Sequence, residues 1–232
     1  MKIRKKFFNI IHRCFPQILY KKTSYSQDGE DMVIQTYYET KKHYKGFYVD
    51  IGAHHPYRFS NTAYFYKKGW RGINVEPTPT LLSAFKRHRK RDINLNLGVS
   101  LHPMVLPFYV FNDDALNTFD ENLAQARHAN EDRYKILSKI EIQTSTLKDI
   151  LENHLPENQH IDFLTIDVEG LDFDVLKSND WSKFLPGFIM VECDAILDNI
   201  QQDEVCQFLL NKNYHIIGRT QRTSLFKYNG TY

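Results

Sequence analysis

The sequence lacks most of the features that would assign it at once to a metal-binding, nucleic-acid-binding or membrane class. Its 232 residues include three cysteines, widely spaced and without a C-x-x-C pair, so a thiolate zinc site is not expected. The formal net charge of +2 gives no strong field for recruiting nucleic acid. No run of about 20 apolar residues occurs, so no membrane-spanning helix is predicted. An odd cysteine count without a signal peptide indicates a reducing cytoplasm.

The composition favours a folded globule over a disordered chain. Hydrophobic residues make up 42% of the sequence and aromatic residues 14%. The length fits a basic, partly apolar N-terminal extension, residues 1–24, followed by one domain, residues 25–232. The extension is interpreted as a docking helix or a weak contact with a membrane surface.

Apolar strands alternate with helical patterns along most of the chain. The segments "FYVDI", "RGINVEP", "INLNL", "FLTID" and "FIMVECD" predict buried strands with helices between them. Such an order predicts an α/β fold with a mostly parallel sheet and helices on both faces. "YHIIGRT" and "TSLFKY" predict an antiparallel C-terminal edge hairpin. "MVLPFYVF" is expected to add a strand or hairpin, and residues 112–139 a loop and a helix over the site.

Four predicted strands end in an acidic residue: Asp50, Glu76, Asp167 and Glu192. In open α/β sheets, ligands bind outside the carboxyl ends of the strands, where the strand order reverses. Glu76 ends the strand after the one that carries Asp50, and a carboxylate in that position typically accepts hydrogen bonds from ribose hydroxyls. The pattern therefore predicts a ligand that contains a nucleoside.

The turn after the first strand decides which nucleoside ligand is expected. It reads "DIGAHHP", and the glycine-rich G-x-G-x-x-G fingerprint of dinucleotide sites is absent. The negative charge of Asp50 would also repel a diphosphate. A ligand with a ribose, an amine and a sulfonium would instead be attracted, so S-adenosylmethionine (SAM) fits best.

Four segments together resemble the FkbM-type SAM-dependent methyltransferases. They are "YVDIGAHHPYRFSNT", "GWRGINVEP", "IDFLTIDVEGLDFDVL" and "FIMVECD", in this order and spacing. The resemblance implies a class I Rossmann-like methyltransferase that methylates a sugar hydroxyl on a nucleotide-sugar or on a surface-glycan or capsule precursor. One departure is that His54 occupies the second glycine position of the general D/E-x-G-x-G turn.

The resemblance also implies which residues would bind SAM. Asp50, Gly52 and Ala53 would form the turn against the cofactor, and Glu76 would hold the ribose. The remaining positions are Ser60 and Asn61 for the methionine carboxylate, Gln27 from the N-terminal helix, and Asp167 beside the methionine amine or the acceptor hydroxyl.

Methyl transfer to a sugar hydroxyl requires a base or a metal ion, because the hydroxyl is a weak nucleophile. The candidate bases are His54, His55, Asp167 and Glu169. The candidate ligands for a divalent ion such as Mg²⁺ or Mn²⁺ are Asp167, Glu169, Glu192 and Asp194, since such ions prefer oxygen ligands. The alternative is that Glu169 caps the next helix and Glu192 binds backbone amides, without a metal.

Basic residues offer further contacts with an anionic acceptor. Arg58 follows the SAM turn, and "FKRHRKRD", residues 85–92, forms a basic run. The run is interpreted as a solvated face or as a contact with an anionic substrate or a membrane surface. Two other functions remain open: a nicotinamide-dependent oxidoreductase on the same kind of sheet, and a non-catalytic SAM-binding or membrane-associated partner. The sequence also leaves open whether the protein forms a homo-oligomer.

Overall fold

A computed structural model describes residues 11–130, 132–193, 200 and 202–230 of the chain. Within these ranges ten strands form two sheets. The strands are β1 (Phe47–Ile51), β2 (Arg71–Val75), β3 (Ile93–Leu95), β4 (Gly98–Val99), β5 (Val105–Phe111), β6 (Ile136–Ser145), β7 (Phe163–Ile166), β8 (Phe188–Glu192), β9 (Tyr214–Arg219) and β10 (Thr223–Tyr228).

Helices connect most of the strands. In the described ranges they are α1 (Pro16–Tyr20), α2 (Glu30–Thr36), α3 (Ala63–Lys67), α4 (Pro79–His88), α5 (Glu121–Asn130), α6 (Leu147–His154), α7 (Asp172–Lys177) and α8 (Glu204–Asn211), with a 3-10 turn at Asp114–Leu116. No helix in the described part of the chain is both long enough and apolar enough to cross a bilayer.

The large sheet has seven strands in the order β3-β2-β1-β7-β8-β10-β9. Strands β3, β2, β1, β7 and β8 are parallel, and β10 runs antiparallel to both β8 and β9. The predicted α/β class and the antiparallel C-terminal hairpin are therefore confirmed, with β10 inside the sheet and β9 at its edge. The strand order reverses between β1 and β7, which places the expected ligand site at their carboxyl ends.

The central strands are apolar because both of their faces are covered. All five residues of β1 are buried, and they alternate between two cores. Val49 and Ile51 pack into the larger core, whereas Tyr48 points into the second core beside Phe65 and Phe163. Successive side chains of a strand point to opposite faces, so a strand covered on both sides reads as an unbroken apolar run.

The region between β4 and β7 builds the second sheet, in the order β4-β6-β5. Strand β5 pairs antiparallel with β6, which confirms the predicted extra strand. The loop and helix predicted for residues 112–139 are present as the 3-10 turn and α5, but residues 136–139 belong to strand β6 instead. Residues 113–117 and 119 border a cavity at the carboxyl ends of β1, β2 and β7, so this insertion covers that edge of the large sheet.

Helix α2 is short, because it ends at Thr36 and residues 37–42 form turns and a bend. Its two acids, Glu30 and Asp31, are buried rather than exposed. Asp31 accepts hydrogen bonds from the Ser24 hydroxyl and the Tyr25 backbone N–H. The acids thus fix the segment that leads into the domain.

Candidate functional site

A cavity of about 270 Å³ opens at the carboxyl ends of β1, β2 and β7, where the strand order reverses. Its walls include every residue predicted from the sequence to bind the cofactor or to act as a base, except His55. These residues are Gln27, Asp50, Gly52, Ala53, His54, Ser60, Asn61, Glu76, Asp167 and Glu169.

The turn after β1 passes very close to the end of β7. Gly52 has φ +78°, and a Cβ at this position would lie 1.8 Å from the Asp167 carbonyl oxygen. The backbone N–H groups of Gly52 and Ala53 both donate to the Val75 carbonyl at 3.0 Å. A residue without Cβ is therefore required for β1, β2 and β7 to meet at one point.

Glu76 follows β2 and is 4% exposed. Its Oε1 accepts from the Thr78 N–H at 2.7 Å, and its Oε2 accepts from the His54 N–H at 2.8 Å. Burial raises the pKa of Glu76 to about 7. A carboxylate has about four acceptor positions, so these two bonds leave capacity for a ligand diol.

Asp50 lies in β1 and is also buried. Its Oδ2 accepts from the Thr62 hydroxyl at 2.7 Å. Burial raises the pKa of Asp50 to about 6, although the Thr62 hydrogen bond and the charge of Arg89 oppose that shift. Asp50 and Glu76 are thus two acids at neighbouring strand ends, and burial raises the pKa of each towards neutral pH.

The loop between β1 and α3 carries two histidines with different roles. His54 has φ 51°, and its ring stacks on Phe59. Burial, followed by the charge of Arg58, lowers the pKa of His54 to about 4, so its ring is neutral at pH 7. The Nδ1 atom of His55 accepts from the N–H groups of Tyr57 and Arg58, so this nitrogen stabilises the loop, and His55 is not among the residues that line the cavity.

Asp167 follows β7 and faces the cavity, where solvent reaches its side chain. Its pKa is raised well above the ordinary value by its removal from bulk water and by the neighbouring charges of Glu192 and Glu169. Its carboxylate accepts no hydrogen bond from the described residues that would oppose this rise. Asp167 is therefore a carboxylate of raised pKa that solvent reaches from the cavity.

Glu169 is already engaged by the insertion. Its carboxylate pairs with Arg127 of α5, and both side chains are about one-fifth exposed. Its carbonyl accepts from the Thr118 hydroxyl at 2.8 Å. These contacts compete with the predicted roles of Glu169 as a base or a metal ligand.

The predicted metal site is not supported. Across residues 11–130, 132–193, 200 and 202–230, no group of three or more His, Cys, Asp or Glu side chains is arranged to hold a metal ion. Glu192 ends β8 and does not border the cavity, while Asp194 lies outside the described residues. Glu169 is bound to Arg127, so the described residues offer no complete set of oxygen ligands around Asp167.

The other predicted cofactor residues line the same side of the cavity. The Ser60 hydroxyl accepts from the Ala63 N–H at 3.1 Å, at the start of α3. Asn61 reaches across to β7, and its Nδ2 donates to the Thr165 hydroxyl at 2.9 Å. Gln27 is exposed at the opening. Two residues before it, the Tyr25 carbonyl accepts a hydrogen bond from the Ser60 N–H.

Sequence reasoning missed two parts of this site. One is the apolar end of the cavity, formed by Leu97, Val99, Phe108 and Phe119. The other is Arg89, which lies in the basic run of residues 85–92 but is 0% exposed. The interpretation of that run as a solvated face is wrong at this position. The signal in the sequence that could have indicated its burial was an arginine beside the last helical turn with an acid three residues later, at position 92.

The opening of the cavity is polar. Arg58 donates to Asp113 Oδ1 at 3.3 Å from both terminal nitrogens and so joins the β1–α3 loop to the insertion. Arg222, in the turn between β9 and β10, lines the same opening. Groups that donate and accept hydrogen bonds therefore surround the entrance, in contrast to the apolar end.

Comparison with known proteins gave the following findings. Residues 50–216 match the family model of the methyltransferase FkbM domain. No curated protein matches the sequence significantly. The crystal structure of methyltransferase FkbM from Methylobacillus flagellatus KT is similar in fold, with a TM-score of 0.50 and 15% identity over 83% of this chain. This chain spans 46% of that protein's length. Precorrin-6y C5,15-methyltransferase from Geobacter metallireducens GS-15 matches with a TM-score of 0.40 and 11% identity, over 86% of this chain and 87% of that chain.

Proposed function

This chain belongs to the FkbM methyltransferase family, and we propose that it transfers the methyl group of SAM to a sugar hydroxyl. The observation that carries the proposal is the meeting of Asp50, Gly52, Glu76 and Asp167 at one cavity, where the strand order reverses. The family match rests on the pattern of the sequence, and the geometry adds how these side chains are arranged in space.

The residues around the cavity fit SAM. Asp50 is suited to the cationic end of the cofactor, and Glu76 retains acceptor capacity for a ribose diol. Leu97, Val99 and Phe108 offer an apolar surface for the adenine. When bound, SAM supplies an electrophilic methyl group. The carboxylates also make a diphosphate unfavourable here, which disfavours the nicotinamide-dependent alternative.

We assign Asp167 as the base that removes the proton of the acceptor hydroxyl. Its raised pKa makes it a stronger base than an ordinary carboxylate, and it is open to the cavity. His54 is neutral but weakly basic, because its pKa is about 4. The carboxylate of Glu169 is held by Arg127. Asp167 therefore takes the proton as the acceptor oxygen attacks.

The polar opening supports a sugar acceptor. Gln27, Arg58, Asp113 and Arg222 present donors and acceptors that suit a polyhydroxylated ligand, and the two arginines suit a phosphate or carboxylate on it. A nucleotide-sugar or a surface-glycan or capsule precursor has these groups. Three free cysteines agree with a reaction in the cytoplasm.

The first test is calorimetry with S-adenosylhomocysteine (SAH) and, separately, with NAD. We expect SAH to bind and NAD not to bind, whereas NAD binding without SAH binding would overturn the proposal. The second test measures transfer of a labelled methyl group from SAM to a panel of nucleotide-sugars, with and without EDTA. We expect transfer that Asp167→Asn reduces strongly. SAH binding without transfer to any acceptor would favour the non-catalytic alternative.

A further inference from the structure

Arg89 lies at the end of α4 and is 0% exposed, although it comes from the most basic stretch of the chain. An arginine has five N–H donors, and all five find an acceptor. The acceptors are the Pro56 carbonyl at 3.1 Å from Nε, the Tyr48 hydroxyl at 2.9 Å and Asp92 Oδ2 at 3.5 Å from Nη1, and the Ser60 and Thr62 hydroxyls at 3.0 and 2.9 Å from Nη2.

These acceptors divide into two groups. Tyr48 and Asp92 belong to the sheet and its edge, and they anchor the guanidinium: the Tyr48 hydroxyl also donates to Asp92 at 2.7 Å. Pro56, Ser60 and Thr62 belong to the loop between β1 and α3 that forms one wall of the cavity. Arg89 therefore connects the rigid sheet to the loop that carries the predicted cofactor residues.

Thr62 extends this connection to the site itself. Its hydroxyl accepts from Arg89 and donates to Asp50 Oδ2 at 2.7 Å. A hydroxyl has one donor, so accepting from Arg89 directs the Thr62 proton towards Asp50. The chain Arg89–Thr62–Asp50 fixes both the orientation of the Asp50 carboxylate and the position of the loop.

We propose that Arg89 is a positioning residue for methyl-donor binding, which acts through Thr62 to hold Asp50 in the arrangement that binds the amine of SAM or SAH. The inference rests on the proposed function of the cavity. Lysine cannot replace this arginine, because its three donors on a flexible stem cannot reach five acceptors in a plane.

The electrostatics of the site agree with this role. Burial raises the pKa of Asp50, and the Thr62 hydrogen bond and the charge of Arg89 lower it again, so more of the carboxylate is ionised. Asp50 also interacts with the charges of Asp92, Glu76 and Asp167. The further charged groups Arg58, Asp113, Glu169 and Arg222 line the cavity. All of these groups remain in the variants used below, so comparison between variants isolates the contribution of Thr62.

The experiment compares Thr62→Val with Tyr48→Phe. Each change removes one hydroxyl that binds Arg89, but Thr62 lies on the loop side and Tyr48 on the anchoring side. SAH binding is measured by calorimetry between pH 5.5 and 8.5, and folding by thermal unfolding. We expect both variants to lose stability. Only Thr62→Val should bind SAH about tenfold or more weakly at pH 7, because it removes a hydrogen bond to a charged group.

The pH profile separates positioning from stability. In the parent, SAH affinity should fall as the pH drops through about 6, where Asp50 takes up a proton. In Thr62→Val this fall should begin at a higher pH, because the bond that lowers the pKa of Asp50 is gone. Arg89→Lys should bind SAH as weakly as Thr62→Val. If Thr62→Val does not fold, Thr62→Ala carries the same affinity comparison, because it also removes the hydroxyl that donates to Asp50.

The outcomes distinguish this inference from the proposed function. A folded Thr62→Val protein with the affinity and pH profile of the parent would overturn the positioning role while the proposed function stands. Equal weakening of SAH binding in Thr62→Val and Tyr48→Phe, with unchanged profiles, would show a purely structural role and overturn it as well. A parent protein that does not bind SAH would overturn both.

Discussion

Replacing Gly52 with alanine should separate the tip of β1 from the end of β7. The new Cβ would lie 1.8 Å from the Asp167 carbonyl oxygen and 2.8 Å from its carbon, well inside the 3.0 Å below which Cβ contacts essentially do not occur. The backbone must therefore move by at least 1.2 Å at the centre of the site. A misplacement of about 1 Å can lower an enzymatic rate roughly a hundredfold.

The energetic effect of this substitution has two parts. The left-handed conformation costs a residue with a Cβ about 1–2 kcal/mol. Overpacking against fixed backbone costs about 1–3 kcal/mol more. The free energy of unfolding should therefore fall by roughly 2–5 kcal/mol, measured by denaturant unfolding, and SAH binding should be lost in calorimetry.

Gly29 provides the matched control. It has φ +92°, and a Cβ there would meet nothing within 4 Å, so Gly29→Ala includes the conformational cost without the clash. We expect Gly29→Ala to lose only about 1–2 kcal/mol and to bind SAH like the parent. If both variants lose the same stability and Gly52→Ala still binds SAH, the close approach of β1 and β7 is not what shapes the site.

Three further predictions concern the charges around the cavity. Asp50→Asn should lower SAH affinity about tenfold or more in calorimetry, because a charge-assisted contact is lost, and parental affinity would exclude Asp50 from cofactor binding. Without ligand, the free energy of unfolding of the parent should fall relative to that of Asp50→Asn as pH rises from about 4 to about 6, because burial raises the pKa of Asp50 to about 6 and the native parent then holds a proton that the unfolded chain has lost. A difference between the two proteins that stays flat over this range in denaturant unfolding would contradict it. Arg127→Ala should release the insertion from Glu169 and speed limited proteolysis within residues 112–130, whereas an unchanged cleavage rate would show that other contacts hold it.

Much of the large sheet could be predicted from the sequence, because strands that are covered on both faces are apolar along their whole length. β1, β7 and β8 appear as short apolar runs, and the helices between them as amphipathic segments. The full length of β6 was not readable. Half of its ten residues are exposed and most are polar, and what holds them is pairing with β5 rather than a pattern of their own.

The acids of the site could be predicted from the sequence for a related reason. A charge at the end of a buried strand breaks an apolar run, so Asp50, Glu76 and Asp167 could be identified without a structure. Their partners could not. The pair between Arg127 and Glu169 joins residues 42 positions apart, and it depends on where the insertion folds back. The burial of Arg89 likewise depends on three hydroxyls that other elements supply.

Buried acids occur elsewhere in this fold, and their hydrogen bonds distinguish acids with a structural role from acids of the binding site. Asp162 accepts from two tyrosine hydroxyls and a backbone N–H, and Asp92 accepts from Tyr48, Asn74, Gly72 and Arg89, so both are satisfied by the protein. Asp50, a buried acid of the site, has one donor among the described residues. Acids left with unused acceptors at a cavity destabilise the empty protein. A cationic, ribose-bearing ligand offsets that cost, which is why such acids indicate a binding site rather than a structural one.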